Sequence, residues 1–478
     1  MIFRLSIAAG LLCLLISAGV SPSLAADKDA VKRPDLTIFF SSDTRGMLRR
    51  CGCSEGQMGG LSARAGYIKK NKVMGRTLVL DAGDTLFDGL TVPDEKREFY
   101  ALKARTMLKA MYKSGCDTSA VGEYDLACGS DFLAAAANSA NLQLLAANLA
   151  VDKDGYLYKP FSGHVIKRLV GVRVGIIGVL DPAFPYKDFP SLAGVKVSDP
   201  VAAVNEEIKK MGGKADVVVV LAHMSITPVE KFAASLSGVD IVVQGHSQDM
   251  LEAPIKAGGA LVVKGFYRGK HIGRLDLQLN NADRSKGNKV ADVKYTAVAL
   301  DESVPNDRGV DSILAKYRVS LKNMLFVFAE PDPDGAGKYT GPDSCYHCHR
   351  VAYRNWTATA HDKALSSLVQ TKDQYDPECL PCHVTGYGYA SGYSVKSKGP
   401  GLDRVTCESC HGRRSEHIKA VRSGQGGSAV DKIAPMVSEA TCRGCHDEEQ
   451  SPHFDFEKYK ELGGAHRSHP ALQGEGGK

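Results

Sequence analysis

The sequence predicts a layered α/β sheet core flanked by helices, followed by a C-terminal part made mostly of helix and coil. Over residues 36–300, short β-branched runs alternate with patterns typical of amphipathic helices. A segment rich in Pro, Gly and Asp begins at Glu330, as expected of a linker. Beyond it aliphatic residues become sparse, and ten of the 14 histidines of the chain lie after residue 344. The two halves are therefore predicted to have different cores.

The first 25 residues have the pattern of a secretory signal peptide. Arg4 supplies a positive charge, residues 5–20 form an apolar run, and residues 23–25 offer a small-x-small cleavage site. The run is shorter than the about 20 residues that a membrane span needs, and no later segment is apolar enough to span. The sequence therefore predicts an exported protein, periplasmic or extracellular, that is not an integral membrane protein.

The strands and helices of the first half follow from hydrophobic periodicity. The apolar runs predicted to be strands are 36–40, 77–80, 172–177, 217–221, 241–243 and 261–263. The helical patterns cover 61–70, 97–114, 229–236 and, as a final amphipathic helix, 311–325. Buried strands that alternate with helices indicate a layered sheet. The predicted division of the chain is a signal peptide at 1–25, a sheet domain at 36–300, a helical extension at 301–330, a linker at 331–344 and a C-terminal domain at 345–470.

Four Cys-x-x-Cys-His pentapeptides occupy the C-terminal domain. They are Cys345-Tyr-His-Cys348-His349, Cys379-Leu-Pro-Cys382-His383, Cys407-Glu-Ser-Cys410-His411 and Cys442-Arg-Gly-Cys445-His446. In this motif two thiols bond the edge of a c-type haem and the adjacent His ligates its iron. Zinc ribbons also use Cys-x-x-Cys pairs, but they do not require the following His. The repetition predicts four covalently bound haems in a tetrahaem cytochrome c domain that transfers electrons.

The histidines divide into proximal and distal candidates. The proximal ligands by motif are His349, His383, His411 and His446. The distal candidates are His361, His417, His466, His347, His453 and His469, of which the last three are equally well explained as surface residues. Met436 is the only Met of the region, so mostly bis-His ligation is expected, which gives lower potentials than a Met partner.

Charge adds little to the functional prediction. The formal net charge of the apo-chain is +6, and the propionates of four haems would offset most of it. Lys and Arg are scattered without a basic run, so no nucleic-acid partner is expected.

Residues 341–470 resemble the tetrahaem cytochromes of nitrifying bacteria. The resemblance rests on Cys345 to Trp356 with the following residues to His361, on residues 379–388, on Cys407 to His417, and on residues 442–459. It implies closely stacked haems, mostly bis-His, with His361, His417 and His466 as distal ligands. In that family one haem iron can lack a strong distal ligand.

The first half resembles the calcineurin-like metallophosphoesterase domain of periplasmic 5'-nucleotidases and UDP-sugar hydrolases. The matching pieces, in family order, are Ser42-Asp-Thr-Arg-Gly46, Gly59-Gly-Leu-Ser-Ala-Arg64, Leu80-Asp-Ala-Gly-Asp-Thr-Leu86, Val121-Gly-Glu-Tyr-Asp125, Leu221-Ala-His223 and Gly245-His-Ser-Gln248. The resemblance implies a layered metallophosphoesterase-like sheet sandwich flanked by helices.

That family uses two divalent ions bridged by an Asp, which clamp a phosphoryl group and activate water. Several of its positions are changed here. Arg45 and Gln248 stand where the family has His, so one ion would keep only two of its four protein ligands. Tyr124 stands at the position of the catalytic His, and no catalytic residue is assigned. The resemblance therefore implies at most one divalent ion, of the Mn, Zn, Fe or Mg class; the candidate ligands are Asp43, Asp84, Glu123, His223 and His246.

Four cysteines remain outside the leader and the haem motifs: Cys51, Cys53, Cys116 and Cys128. In an oxidising compartment they form one or two structural disulfides. The alternative is a redox-active dithiol or a thiolate metal site reduced by the haems, because a strained Cys-x-Cys disulfide is labile. If the fold is of the expected type, the loops carrying them would lie at the same end of the sheet, near the metal site.

The predicted function is that of a periplasmic tetrahaem cytochrome c that relays electrons between periplasmic or membrane-associated redox proteins, fused to a degenerate metallophosphoesterase-like domain. Two alternatives remain. One is a single-metal phosphoesterase with an appended electron-transfer module. The other is a multihaem reductase that uses an open haem position or the thiols of Cys51 and Cys53. Whether the chain is an enzyme, and its oligomeric state, are left open.

Overall fold

The computed structural model describes residues 33–50, 56–248, 251–280, 289–335, 337–424, 437–448 and 450–462. The predicted signal peptide lies outside the described residues. Among the described helices, none combines the length and the apolar character that crossing a bilayer requires.

Fifteen strands form two six-stranded sheets and one three-stranded sheet in the described residues. The strands are β1 Leu36–Ser41, β2 Thr77–Asp81, β3 Thr118–Ala120, β4 Leu144–Leu145, β5 Leu149–Lys153, β6 Tyr156–Tyr158, β7 His164–Leu169, β8 Val172–Leu180, β9 Val195–Val197, β10 Val217–His223, β11 Ile241–Gly245, β12 Ile255–Ala257, β13 Ala260–Lys264, β14 His271–Asn280 and β15 Lys289–Ala299.

The α-helices are long in the first half of the chain and short in the second. They are α1 Leu61–Asn71, α2 Arg97–Lys113, α3 Ser130–Ser139, α4 Pro200–Met211, α5 Ile226–Ser235, α6 Arg308–Met324, α7 Asp343–Tyr346, α8 Arg350–Thr357, α9 Ala364–Thr371, α10 Leu380–His383, α11 Cys407–His411, α12 Ser415–Arg422, α13 Glu439–Arg443 and α14 Phe456–Leu462.

Each large sheet has a run of parallel strands, which is flanked by antiparallel strands at one edge in the first sheet and at both edges in the second. The first has the order β15-β14-β1-β2-β3-β4, in which β1 to β4 run parallel and β14 and β15 are antiparallel. The second has the order β12-β13-β11-β10-β8-β7, with parallel pairing from β13 to β8. Because parallel strands end at the same edge of a sheet, the loops after β1, β2, β3, β10 and β11 are brought to one edge.

The core lies between the two sheets, with helices on the outer faces. On β1, Leu36, Ile38 and Phe40 point to the second sheet, while Phe39 points to the helical layer. The two faces of β10 divide in the same way. Strands covered on both faces give continuous apolar runs, so these runs could be identified from the sequence. The predicted layered α/β fold is confirmed.

The six predicted strands and the four predicted helices are all present, with ends shifted by a few residues. Nine further strands of the described residues, β3, β4, β5, β6, β7, β9, β12, β14 and β15, were not predicted from the sequence. Strand β14 carries a visible alternation of Leu275, Leu277 and Leu279 with Arg274 and Asp276, the pattern of a strand with one buried face. This alternation could have been used to predict β14 from the sequence.

The residues after 337 contain little apolar core of their own. In the part of this region that the structure describes, one small cluster of buried hydrophobic side chains is found, made of Leu368, Leu380, Val384, Tyr393 and Leu402. The helices around it are four to eight residues long. Helices this short are marginal in water without tertiary packing, so this part needs another source of stability.

A buried ion pair fixes helix α1 to the first sheet. Arg64 on α1 is 2% exposed, donates a hydrogen bond to Ser41 Oγ at 2.8 Å, and lies 3.6 Å from the fully buried Asp81. We expect Arg64→Ala to lower the free energy of unfolding by about 3–5 kcal/mol, because it leaves a buried carboxylate unpaired. Arg76→Ala, which removes a half-exposed pair with Asp35, should cost about 1 kcal/mol or less. Equal losses in denaturant unfolding would contradict this assignment.

Candidate functional site

Five acidic and histidine side chains converge at the carboxyl edge of the two sheets. Asp43, Asp84 and Glu123 follow β1, β2 and β3, while His223 ends β10 and His246 follows β11. Asp43, Asp84 and His246 have positive φ angles of 47°, 55° and 58°. Non-glycine residues in this region are strained, and such strain is concentrated at functional sites.

Four of these side chains form one compact cluster. A ligand atom from each of Asp84, Glu123, His223 and His246 lies within 4.8 Å of the others. His223 Nε2 is 3.2 Å from Asp84 Oδ2 and 3.1 Å from Glu123 Oε2, and His246 Nδ1 contacts Glu123 Oε1. The first three side chains are almost fully buried, and that of His246 is 35% exposed. Among the four side chains, that of His246 is therefore the one most exposed to solvent.

The donor set fits a divalent metal ion. Asp84 Oδ2, Glu123 Oε1 and His223 Nε2 are buried, and within the described part of the chain their polar contacts are the ion pairs among these side chains and, for Asp84, with Arg45, without a well-aligned hydrogen bond. His223 Nδ1 is 2.7 Å from the carbonyl oxygen of Ala82, which fixes the ring with Nε2 toward the cluster. Two imidazoles and two carboxylates suit Mn, Fe or Zn.

Within the cluster, the acidic and histidine side chains stabilise each other's charged forms. Burial disfavours a charge on Glu123, but His223 and His246 outweigh it and lower the pKa of this carboxyl. Burial opposes charge on His223 as well, yet Asp84 and Glu123 raise its pKa well above the usual value. The negative charges are strong enough to hold a proton on His223, and a metal cation is the alternative occupant.

Asp43 does not join this cluster. Its Oδ1 is 3.3 Å from Arg45 Nη2, and its Oδ2 accepts a hydrogen bond of 2.6 Å from Ser42. The same Arg45 nitrogen is 3.1 Å from Asp84 Oδ2, and its guanidinium carbon lies 3.8 Å from the centre of the Tyr124 ring. A guanidinium therefore lies between the two aspartates.

Asp125 supports the cluster and was not identified from the sequence. Its buried carboxylate accepts hydrogen bonds from the backbone N–H groups of Gly122, Asp84, Thr85 and Leu86, at 2.8–3.0 Å. It thereby ties the loop after β2 to the loop after β3. Asp125 could have been noticed in the sequence because it lies two residues after the candidate ligand Glu123.

In the second half, one large cavity gathers the haem motifs. It measures about 2140 Å³ and is lined by every Cys and every His of the four Cys-x-x-Cys-His motifs. Pockets for single small ligands measure about 300–1,000 Å³, so this cavity is large enough for several. Its walls include the aromatic side chains of Trp356, Phe454 and Tyr459. The residues present fit several covalently attached haems.

Two proximal candidates face distal candidates across this cavity. The rings of His349 and His417 have centres 6.4 Å apart, and those of His361 and His446 are 6.2 Å apart. With bonds of about 2 Å from a metal to each imidazole nitrogen, two rings on opposite faces of one ion have centres about 6 Å apart. These spacings would suit an ion held between His417 and the His of the first motif, and another held between His361 and the His of the fourth.

Hydrogen bonds orient two of the proximal imidazoles. His383 Nδ1 is 2.7 Å from the carbonyl oxygen of Ala364, and His446 Nδ1 is 3.0 Å from Ser451 Oγ. A bond at Nδ1 leaves Nε2 for the metal and fixes the plane of the ring.

The remaining distal candidates are less well placed. His347 lines the cavity. His453 is exposed and is not among the lining residues. His466 and His469, and also Met436, lie outside the described residues.

The four cysteines outside the leader and the haem motifs are not all brought to the metal site. Cys51 and Cys53 lie outside the described residues. Cys116 and Cys128 are free thiols, so the expected disulfide does not join them. Cys116 precedes β3, at the end opposite the metal cluster, so the expectation that its loop reaches the site was wrong. Burial raises the pKa of Cys116 to about 12 and also raises that of Cys128, whereas reactive thiols have lowered values.

Ion pairs join the first half to the second beside the second haem motif. Arg49, in the loop after β1, lies 2.9 Å from Asp376 Oδ2, 3.3 Å from Asp373 Oδ1 and 3.3 Å from Cys379 Sγ. Lys103 on α2 pairs with Glu378 at 2.5 Å, and both cations line the large cavity. No sequence motif marks such a junction, because its partners lie more than 270 residues apart.

Arg49 is expected to hold the two halves together. Its side chain is 19% exposed and Asp376 is 3% exposed, so Arg49→Gln leaves buried carboxylates with less compensation. We expect a loss of about 3 kcal/mol in unfolding free energy and faster limited proteolysis between residues 331 and 344. Arg97→Gln, which breaks an exposed pair with Asp94, is the matched control and should leave cleavage unchanged. Cleavage at the wild-type rate in Arg49→Gln would contradict the role given to this contact.

The C-terminal part of the chain is similar to cytochromes of the c554 type. Residues 344–412 match the family model described as cytochrome c554 and c-prime. Cytochrome c-554 of Nitrosomonas europaea is 33% identical over 137 residues, covering 23% of this chain and 57% of that protein.

The first half matches calcineurin-like metallophosphoesterases and 5'-nucleotidases. A snake venom 5'-nucleotidase of Gloydius brevicauda is 24% identical over 348 residues, covering 65% of this chain and 55% of that protein. The crystal structure of the calcineurin-like phosphoesterase YfkN of Bacillus subtilis aligns with a TM-score of 0.52 at 25% identity, covering 60% of this chain and 98% of that one. The chain spans between 25% and 57% of the length of the first curated relatives that it matches.

Proposed function

We propose that this chain is an exported tetrahaem c-type cytochrome that takes up and passes on electrons. The observation that carries the proposal is the single cavity of about 2140 Å³ lined by all four attachment motifs. Similarity to the nitrifier protein named cytochrome c-554 supports it. Attachment of c-type haem outside the bacterial cytoplasm and the leader-like residues 1–25 support a periplasmic location for the proposed cytochrome, with other redox proteins as proposed partners.

The residues of the chain would bind and insulate the cofactors. A c-type haem supplies one-electron exchange at its iron. The eight motif thiols would attach the porphyrins, and the His349/His417 and His361/His446 pairs are spaced so that each pair could hold one iron. Trp356 and Phe454 contribute apolar wall to the same cavity. Gathering the motifs around one cavity keeps the four sites close to each other, as a relay requires.

Haem counting tests the proposal. We expect the purified holo-protein to contain four covalent haems per chain, to show a c-type α-band on reduction, and to take up four electrons per chain in a reductive titration. Fewer than four haems, or haems that organic solvent extracts, would contradict it.

A second candidate function is metal-dependent hydrolysis of phosphate esters in the first half. The cluster of Asp84, Glu123, His223 and His246 favours it, as does the likeness to proteins named 5'-nucleotidase. The test is phosphate release from nucleotides and simple phosphate esters by the holo-protein with added Mn²⁺. Release that Asp84→Ala abolishes would support a haem-linked hydrolase. Absence of release would leave this half a binding or docking unit.

A further inference from the structure

We propose that the guanidinium of Arg45 is a built-in cation that fills one of two cation positions at the sheet edge, so that the centre binds a single divalent ion. The inference rests on the metal centre proposed above and is independent of the haems. It also does not require that the centre be catalytic.

The carboxylates of Asp43 and Asp84 already share one positive charge. Arg45 Nη2 lies 3.3 Å from Asp43 Oδ1 and 3.1 Å from Asp84 Oδ2. The other oxygen of Asp43 accepts the hydroxyl of Ser42, and the other oxygen of Asp84 accepts the backbone N–H of Tyr124 at 2.8 Å. Asp43 therefore has no carboxylate oxygen without a donor, and its position is complete without a metal.

The guanidinium is held in place from several sides. The backbone N–H of Arg45 donates to the carbonyl oxygen of Asp84 at 3.0 Å, and that of Gly46 donates to Thr85 at 2.8 Å. The guanidinium also stacks over the Tyr124 ring, and its side chain is only 10% exposed. An arginine keeps its charge at any physiological pH. The cation is thus a fixed part of the fold, not a mobile side chain that an incoming ion could displace.

Asp84 belongs to both the arginine contact and the metal cluster. Its Oδ2 lies 3.1 Å from Arg45 Nη2 and 3.2 Å from His223 Nε2. The cluster of potential ligand atoms within 4.8 Å of one another contains Asp84, Glu123, His223 and His246 but not Asp43. A second divalent ion would have to sit against the guanidinium, where like charges repel. The geometry therefore predicts one ion, of the Mn, Fe or Zn class, beside a permanent arginine.

Metal counting on the full haem-loaded chain tests the inference. Protein freed of loosely bound metal is equilibrated with Mn²⁺, and manganese is counted per chain by mass spectrometry, separately from haem iron. We expect one manganese in the wild type. In Arg45→Ser, which leaves two carboxylates facing each other, we expect two, with an EPR spectrum of an exchange-coupled pair in place of isolated Mn²⁺.

Two further variants keep the result interpretable. Arg45→Lys retains a cation and should bind one ion, and it serves if Arg45→Ser fails to fold. Arg274→Ser removes a guanidinium from an ion pair on β14, away from the cluster, and should also bind one. Two ions in the wild type, or one in a folded Arg45→Ser chain, would overturn the role of Arg45 but leave the metal centre intact. No ion in any variant would overturn the metal centre itself.

Discussion

A chain that carries both Cys379→Ser and Cys382→Ser is expected to contain three haems instead of four and to lose cooperative folding of its second half. These thiols flank Leu380, which is fully buried in the small apolar cluster of this half. That cluster has five buried members in the described residues, so we expect bound porphyrin to provide most of the remaining core. Removing one buried aromatic side chain costs about 3–5 kcal/mol, and removing a whole porphyrin should cost at least as much.

The effect is measured by haem content per chain and by thermal unfolding followed at the Soret band and in the far ultraviolet. Cys128→Ser is the matched control, because Cys128 is a free, half-buried thiol outside the motifs. It should keep four haems and an unchanged melting temperature. A double variant that keeps four haems, or that melts like the wild type, would show that this motif does not anchor a structural haem.

The parts of the fold that the sequence predicted are those in which one local pattern decides the structure. Strands β10 and β11 are covered on both faces, so each begins as an uninterrupted apolar run, and β8 departs from this pattern only at its exposed Arg173 and its glycines. The haem motifs are equally local, since attachment chemistry requires both thiols and the His within five residues. Predictions of this kind do not depend on how distant segments meet.

The missed features depend on distant segments. No sequence pattern predicted that Arg49 would contact Asp376 and Cys379, because these contacts depend on how the loop after β1 folds against a distant part of the chain. Cys116 was placed at the metal edge because it is close in sequence to Glu123, but β3 lies between them and carries the two residues to opposite edges of the sheet. Sequence proximity is a poor guide wherever a strand intervenes.

The candidate metal centre could be predicted in part from local motifs, and in part it depends on how distant segments meet. The resemblance supplied the residue types, including the unusual Arg45, but could not say whether this cation would point away from the aspartates or lie between them. The contacts of 3.1 and 3.3 Å to the two carboxylates decide it. Arg45 is therefore not only a position at which a metal ligand has been lost, because its guanidinium lies where we propose that it replaces one metal ion.

The second large effect is expected from Asp84→Asn, which should weaken binding of Mn²⁺ by at least about 100-fold, since changes to residues that only support metal ligands already cost about 10–100-fold. Asn keeps an oxygen that can accept the Tyr124 N–H, so the loop contact at 2.8 Å is retained. What it removes is the negative charge between Arg45 and His223.

Asp88→Asn provides the control, because Asp88 is an exposed acid four residues further along that pairs with Arg268. Calorimetric titration should give wild-type affinity for this control and a large loss for Asp84→Asn, while haem content stays at the wild-type value in both. If Asp84→Asn bound Mn²⁺ within threefold of the wild type, the ion would not be held by this cluster. If Asp84→Asn also lost haem, metal binding in the first half and haem binding in the second would be coupled. The physical link would then be the loop after β1, which carries both Arg45 at the metal centre and Arg49 in contact with Cys379.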